Sequence, residues 1–163
     1  MNAVRPTSAR LLAVLLCAGL IVGAVFPAVV RRWGGFVPTL SWTPAVVLGG
    51  TAVIVGAVAW GVWRAVHREQ LRVNADRAIT HLALGRASSR AGSLFAGLYG
   101  GFALAYVDVV ETANGRDRVV HGAGAVVGAA LLVAAGLLLE RACRLPAGDD
   151  EDDDPSDAEP TPA

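Results

Sequence analysis

Asp108, His121 and Tyr106 come nearest to a catalytic set. A carboxylate beside an imidazole can share a proton and do general acid–base work near neutral pH. Both groups lie at the ends of adjacent apolar runs, where polar residues also terminate helices at the headgroup zone. The expectation is interfacial residues, with a hydrogen-bonded cluster or acid–base pair as the sharper alternative. Ser93 lies near the start of the third apolar run and His121 at the start of the fourth, which puts them near opposite membrane boundaries, too far apart for a nucleophile and its base. His67 and His81 share one arginine-rich segment and do not face each other within apolar runs, so a haem site is not expected. Metal-ligand spacings, a phosphate loop and nucleic-acid signatures are missing from the sequence. No enzymatic activity, cofactor, metal, nucleic-acid partner or small-molecule ligand is expected. Thr51 and Tyr99, the notable polar groups inside apolar runs, are expected to bond a backbone carbonyl or a neighbouring helix.

The elements that must position these groups are four apolar runs. They cover about residues 11–30, 45–63, 91–110 and 121–139 of the 163. A helix rises about 1.5 Å per residue and the hydrocarbon core is about 30 Å thick, so roughly 20 residues cross it. Each run is near that length and lacks the alternation of a membrane β-barrel strand. The third is at the short end if it stops at Val107 before Asp108, and the third and fourth are rich in Gly and Ala. The predicted fold is all-α: a polytopic membrane helix bundle of four transmembrane helices with short loops. Residues 1–146 form the membrane domain, with a basic loop over 64–90. Residues 147–163 form an acidic tail that is expected to be disordered.

The zero net charge hides two opposing parts. The tail carries eight acids and no base, whereas all 14 basic residues, every one of them arginine, precede it. Arginine is enriched in cytoplasmic loops. Six arginines lie in residues 64–90, two before the first run and two after the fourth, against two in each remaining loop. This places the N- and C-termini in the cytoplasm and the protein in a bacterial plasma membrane. Arg31 and Arg32 dissent from that pattern. Trp33, Trp42, Trp63 and Tyr106 lie near run ends, where amphipathic rings suit the interface. Asn74 is a candidate N-cap for an amphipathic helix over residues 75–82, which either lies on the membrane surface or continues into the third run. Two cysteines, Cys17 and Cys143, do not form a disulfide framework.

Small residues mark the packing faces. Ser89, Ser93, Gly97, Gly101 and Ala105 recur at steps of four and form one ridge. Gly124 and Gly128 repeat the device in the fourth run, and Gly19 and Gly23 in the first. Such ridges let helices approach closely, and packing is the main source of helix association in lipid. Partners are expected to be the lipid bilayer and another membrane protein or a second copy. The favoured role is a structural or accessory subunit; the alternative is a small oligomeric transporter or channel.

Two local stretches carry a family resemblance. One runs Leu84-Gly85-Arg86-Ala87-Ser88-Ser89 into Leu94-Phe95-Ala96-Gly97-Leu98-Tyr99-Gly100-Gly101. The other is Glu140-Arg141-Ala142-Cys143-Arg144-Leu145-Pro146 before the acidic tail. Together with the layout of the runs, they resemble the actinobacterial membrane proteins of domain-of-unknown-function family 3180. The resemblance implies a four-span fold. It implies no activity and defines no catalytic residues.

Overall fold

A computed structural model describes residues 8–35, 41–68 and 75–143. The described residues form four α-helices and one 3-10 turn, with no strand among them. The helices are α1 (Ala9–Arg32), α2 (Thr43–Arg68), α3 (Ala75–Leu104) and α4 (Ala113–Ala142); the 3-10 turn is Val107–Val109. The acidic tail and Asn74 lie outside the described residues.

Local chemistry sets the helix ends. Ser8 caps α1 by accepting the Leu11 N–H at 3.3 Å. At the other end, Gly34 N–H bonds the Arg31 carbonyl and Gly35 N–H the Val30 carbonyl. That pairing is a Schellman closure, which needs a left-handed residue after the cap, and Gly34 supplies it at φ 70°. Thr112 caps α4: its Oγ1 accepts the Gly115 N–H at 3.1 Å and donates to the Val109 carbonyl at 2.7 Å.

The helices lie side by side in the order α1–α3–α4–α2. The main interfaces are α1 on α3, α3 on α4, and α2 on α4. The central pair is antiparallel: Gly85 meets Gly136 and Glu140, while Gly122 meets Ala103. Each flanking helix runs parallel to the one it covers. Gly19 and Gly23 of α1 meet Leu94, Leu98 and Phe102 in rising order. On α2, Leu48, Ala52, Val55 and Ala59 recur at helical spacing and pack on Ala125, Ala129, Leu132, Ala135 and Leu139 of α4. Most of that core is alanine, so the helix axes sit close.

Two expectations are corrected. The basic loop placed over 64–90 is mostly helix: α2 continues to Arg68 and α3 begins at Ala75. Ala, Leu and Arg are strong helix formers, so the backbone stays helical after the apolar run stops. The alternative that residues 75–82 continue into the third run is the one observed. The third apolar run, in turn, does not reach 110 as a helix. Tyr106 N–H bonds the Ala103 carbonyl and Val109 N–H the Tyr106 carbonyl, so the chain tightens into turns after Leu104.

Among the described residues, three helices are long and apolar enough to cross a membrane: α1, residues 43–64 of α2, and α4. Arg86, Arg90 and the serines between them and Ser93 keep α3 less apolar than these.

Candidate functional site

The small-residue ridges are buried inside the chain. A Cβ on Gly97 would strike the Leu16 carbonyl, and one on Gly101 the Leu20 carbonyl, so both glycines touch α1 backbone. The reciprocal faces are Gly19 and Gly23. Gly128 sits 3.0 Å, measured from an ideal Cβ, from the Ala45 carbonyl of α2, and Gly124 lies against Trp42 and Ala45. Ser93 is buried and its hydroxyl donates to the Ser89 carbonyl at 2.9 Å. Ser89 in turn donates to the Arg86 carbonyl at 3.1 Å. Both hydroxyls are thus committed to their own helix. Thr51 does the same, donating to the Val47 carbonyl at 2.8 Å, and Tyr99 stacks on Phe95.

At the Gly85–Gly136 end of the α3–α4 seam lies a group the sequence reading missed. Glu140 is only 2% exposed. Its Oε1 lies 3.9 Å from Arg86 Nε across the seam. Gly85 and Gly136 face each other there, with Ser88 and Ser89 buried beside them. The glycines bring the two backbones close enough for the short acid to reach the arginine. A signal existed. Glu140 follows Gly136 by four residues, as Gly136 follows Leu132, so it continues the buried face of α4. It stands just past the apolar run, where hydropathy does not show that α3 covers it. His81, one helical turn before Gly85, has a buried Nδ1 without a hydrogen-bond partner among the described residues.

The opposite end holds the Asp108–His121 region. The two do not meet among the described residues. Asp108 is exposed in the 3-10 turn. His121 Nδ1 lies 2.6 Å from the Asp117 carbonyl, a contact that needs the proton on Nδ1, and 3.5 Å from Asp117 Oδ1. Its ring packs on Trp42 with centroids 4.8 Å apart. The imidazole is therefore turned to its own helix and to α2.

Tyr106 is the organising residue of this end. It is 7% exposed and packs on Phe102. Arg118 donates to its hydroxyl at 3.1 Å. The Arg118 and Arg31 guanidinium carbons sit 4.8 and 5.7 Å from its ring centroid, within cation–π range. A cleft of about 420 Å³ opens here, lined by Arg31, Tyr106, Thr112, Asn114, Gly115 and Arg118 among others. A second cleft of about 450 Å³ lies between α2 and α4 near their C-terminal ends, bordered by Trp60, Trp63 and Arg141. No group of three or more His, Cys, Asp or Glu suited to a metal occurs among the described residues.

The model of one family, described as a protein of unknown function (DUF3180), matches residues 12–147. The chain belongs to the DUF3180 family. The match covers all four helices of the fold except the first turn of α1. It includes the Arg86–Glu140 seam and the Tyr106 cleft. No curated protein and no solved structure matches the chain.

Proposed function

We propose that this DUF3180 chain is a four-span integral protein of a bacterial plasma membrane, with both termini cytoplasmic, acting as a structural or accessory subunit rather than an enzyme. One observation carries the reading. Glycine seams put α1 on α3 and α3 on α4 at backbone contact, so the chain packs solid while long apolar faces of α1 and α2 stay uncovered. Val14, Ile21 and Val22 on α1, and Val46, Val53 and Ile54 on α2, are all more than half exposed. Such faces suit lipid or a partner's helices, since the glycine ridges of α1, α3 and α4 are already consumed within the chain. The antiparallel register of α3 on α4 supports a fourth span, because it carries residues 85–104 alongside the apolar stretch of α4. The arginine count over the chain supports the orientation.

The test is in-cell crosslinking of the tagged native protein, mild-detergent purification, and identification of what accompanies it. A stoichiometric membrane partner is expected. Recovery of a discrete homo-oligomer alone removes the accessory reading.

A second reading, a small oligomeric transporter, is favoured by Glu140. Buried ionisable groups in membrane helices commonly mark ion or proton paths. Reconstituted vesicles bearing the wild type and Glu140→Gln decide it: a flux lost in the variant supports transport, and equal behaviour removes it.

A further inference from the structure

The Tyr106 cleft has the composition of an anion site. Two guanidinium groups converge on one buried ring from two different helices. Arg31 closes α1 and Arg118 belongs to the second turn of α4. Among the described residues that line the cleft, none is acidic. The nearby carboxylates, Asp108, Glu111 and Asp117, are exposed and outside the lining, and Asp117 is turned toward His121. Arg31 spends its Nε–H on the Pro27 carbonyl at 3.2 Å; a guanidinium carries five N–H donors, so this bond orients the group without exhausting it. The cleft also contains Asn114 and Gly115 of the first turn of α4; the Gly115 N–H is taken by the Thr112 hydroxyl, but the helix dipole still favours negative charge there. The planar forks of arginine match phosphate oxygens two at a time.

The level of the cleft points to the source of that phosphate. The apolar run of α1 ends at Val30, and the cleft begins with the next residue, Arg31. Trp33, 86% exposed, follows within the same turn, and Trp42, packed on His121, lies at the same end of the molecule. Exposed indoles beside arginines mark the headgroup zone of a bilayer. Resting on the membrane placement proposed above, we propose that the cleft binds the phosphate of an anionic lipid headgroup, held between Arg31 and Arg118 at the start of α4.

The test uses the full-length protein purified from washed membranes in a neutral detergent. Lipid retention is counted by native mass spectrometry against phosphatidylglycerol, phosphatidylcholine and inorganic phosphate. Wild type should retain phosphatidylglycerol in preference to phosphatidylcholine. Arg31→Gln should weaken that retention about five-fold, the factor one arginine carries against an anionic surface. Arg32→Gln, next to the cleft but outside its lining, should leave it unchanged. Arg31 is exposed, so its replacement lifts one cation from the Tyr106 ring and leaves Tyr106 packed on Phe102; Arg118→Lys, which keeps a donor for the Tyr106 hydroxyl, should show a smaller loss. Equal retention by Arg31→Gln and wild type overturns the site, and so does an equal loss in Arg32→Gln. Binding of inorganic phosphate with no preference between the lipids overturns the lipid assignment. Recovery of the protein from the soluble fraction overturns the membrane placement and the lipid assignment together. Retention that ignores Arg31 in membrane-extracted protein removes only the cleft.

Discussion

Arg86 and Glu140 form the most consequential pair of single residues. Glu140 is 97% buried at its side chain and Arg86 a quarter exposed, so the arginine can reach toward water while the acid cannot. Removing one partner of a buried pair leaves the other charge uncompensated, which costs about 3 kcal/mol or more. Arg86→Ala should therefore destabilise the α3–α4 seam by about 3 kcal/mol. Glu140→Gln, which removes the charge and keeps the shape, should cost less. Arg86→Met combined with Glu140→Leu should recover most of the loss, since apolar replacements of a buried pair are often neutral. Thermal unfolding in detergent measures all three, and an Arg86→Ala protein as stable as wild type would mean the pair is not structural. Cys143 offers a second check. It follows α4, and its partial burial raises the thiol pKa. Only the thiolate reacts with maleimide, so a raised pKa lowers the reactive fraction at neutral pH. In a Cys17→Ser background, labelling should be slow near pH 7 and rise at higher pH than for a free thiol. A rate profile matching free cysteine would show the site open to solvent. At this scale the sequence is a partial guide. The fates of Thr51 and Ser93 follow from chemistry that every helix offers. The pairing of Arg86 with Glu140 depends on the register between two helices, which one chain's hydropathy does not encode.

The helices were more legible than the residues they present. Apolar run length located both ends of α1 to within two residues, because the same residues that favour lipid also favour a helix, but the second run stops five residues before α2 ends and the fourth begins eight residues after α4 starts. It misplaced the start of α3, where a charged helix continues past the apolar stretch. The steps of four through Ser93, Gly97 and Gly101 located a real close approach, while the identity of the facing helix, α1, was not readable. The contrast among glycines makes this testable. A Cβ on Gly97 or Gly101 runs into α1 backbone, whereas one on Gly50 or Gly61 meets nothing within 4 Å. Gly97→Leu and Gly101→Leu should force α1 from α3, lowering the unfolding temperature and exposing α1 to protease. Gly50→Ala and Gly61→Ala should be neutral or stabilising by up to about 1 kcal/mol, the helix-propensity difference. A pattern in which all four substitutions behave alike removes the seam as the source of cohesion.

At the scale of the molecule, the order α1–α3–α4–α2 is the least expected feature, because sequential helices joined by short loops usually neighbour one another. Here α1 and α2 flank the layer, and the chain between Trp33 and Trp42 must connect them. The arrangement makes a sharp geometric prediction. An ideal Cβ on Gly124 lies 3.6 Å from that of Ala45, and one on Gly56 lies 3.9 Å from that of Ala135. Both separations suit a disulfide, whose Cβ atoms sit about 3.5–4.5 Å apart. In a Cys17→Ser, Cys143→Ser background, Gly124→Cys with Ala45→Cys and Gly56→Cys with Ala135→Cys should both oxidise within one chain. Together they fix α2 parallel to α4 along its length. Ile21→Cys with Val53→Cys, on the exposed faces of the two flanking helices, should not. A closed ring of four helices would put α1 beside α2, so ready formation of that last bridge within the monomer would replace the layer with a ring. It would also cover part of the apolar faces on which the accessory role depends, which ties the shape of the layer directly to what the protein can bind.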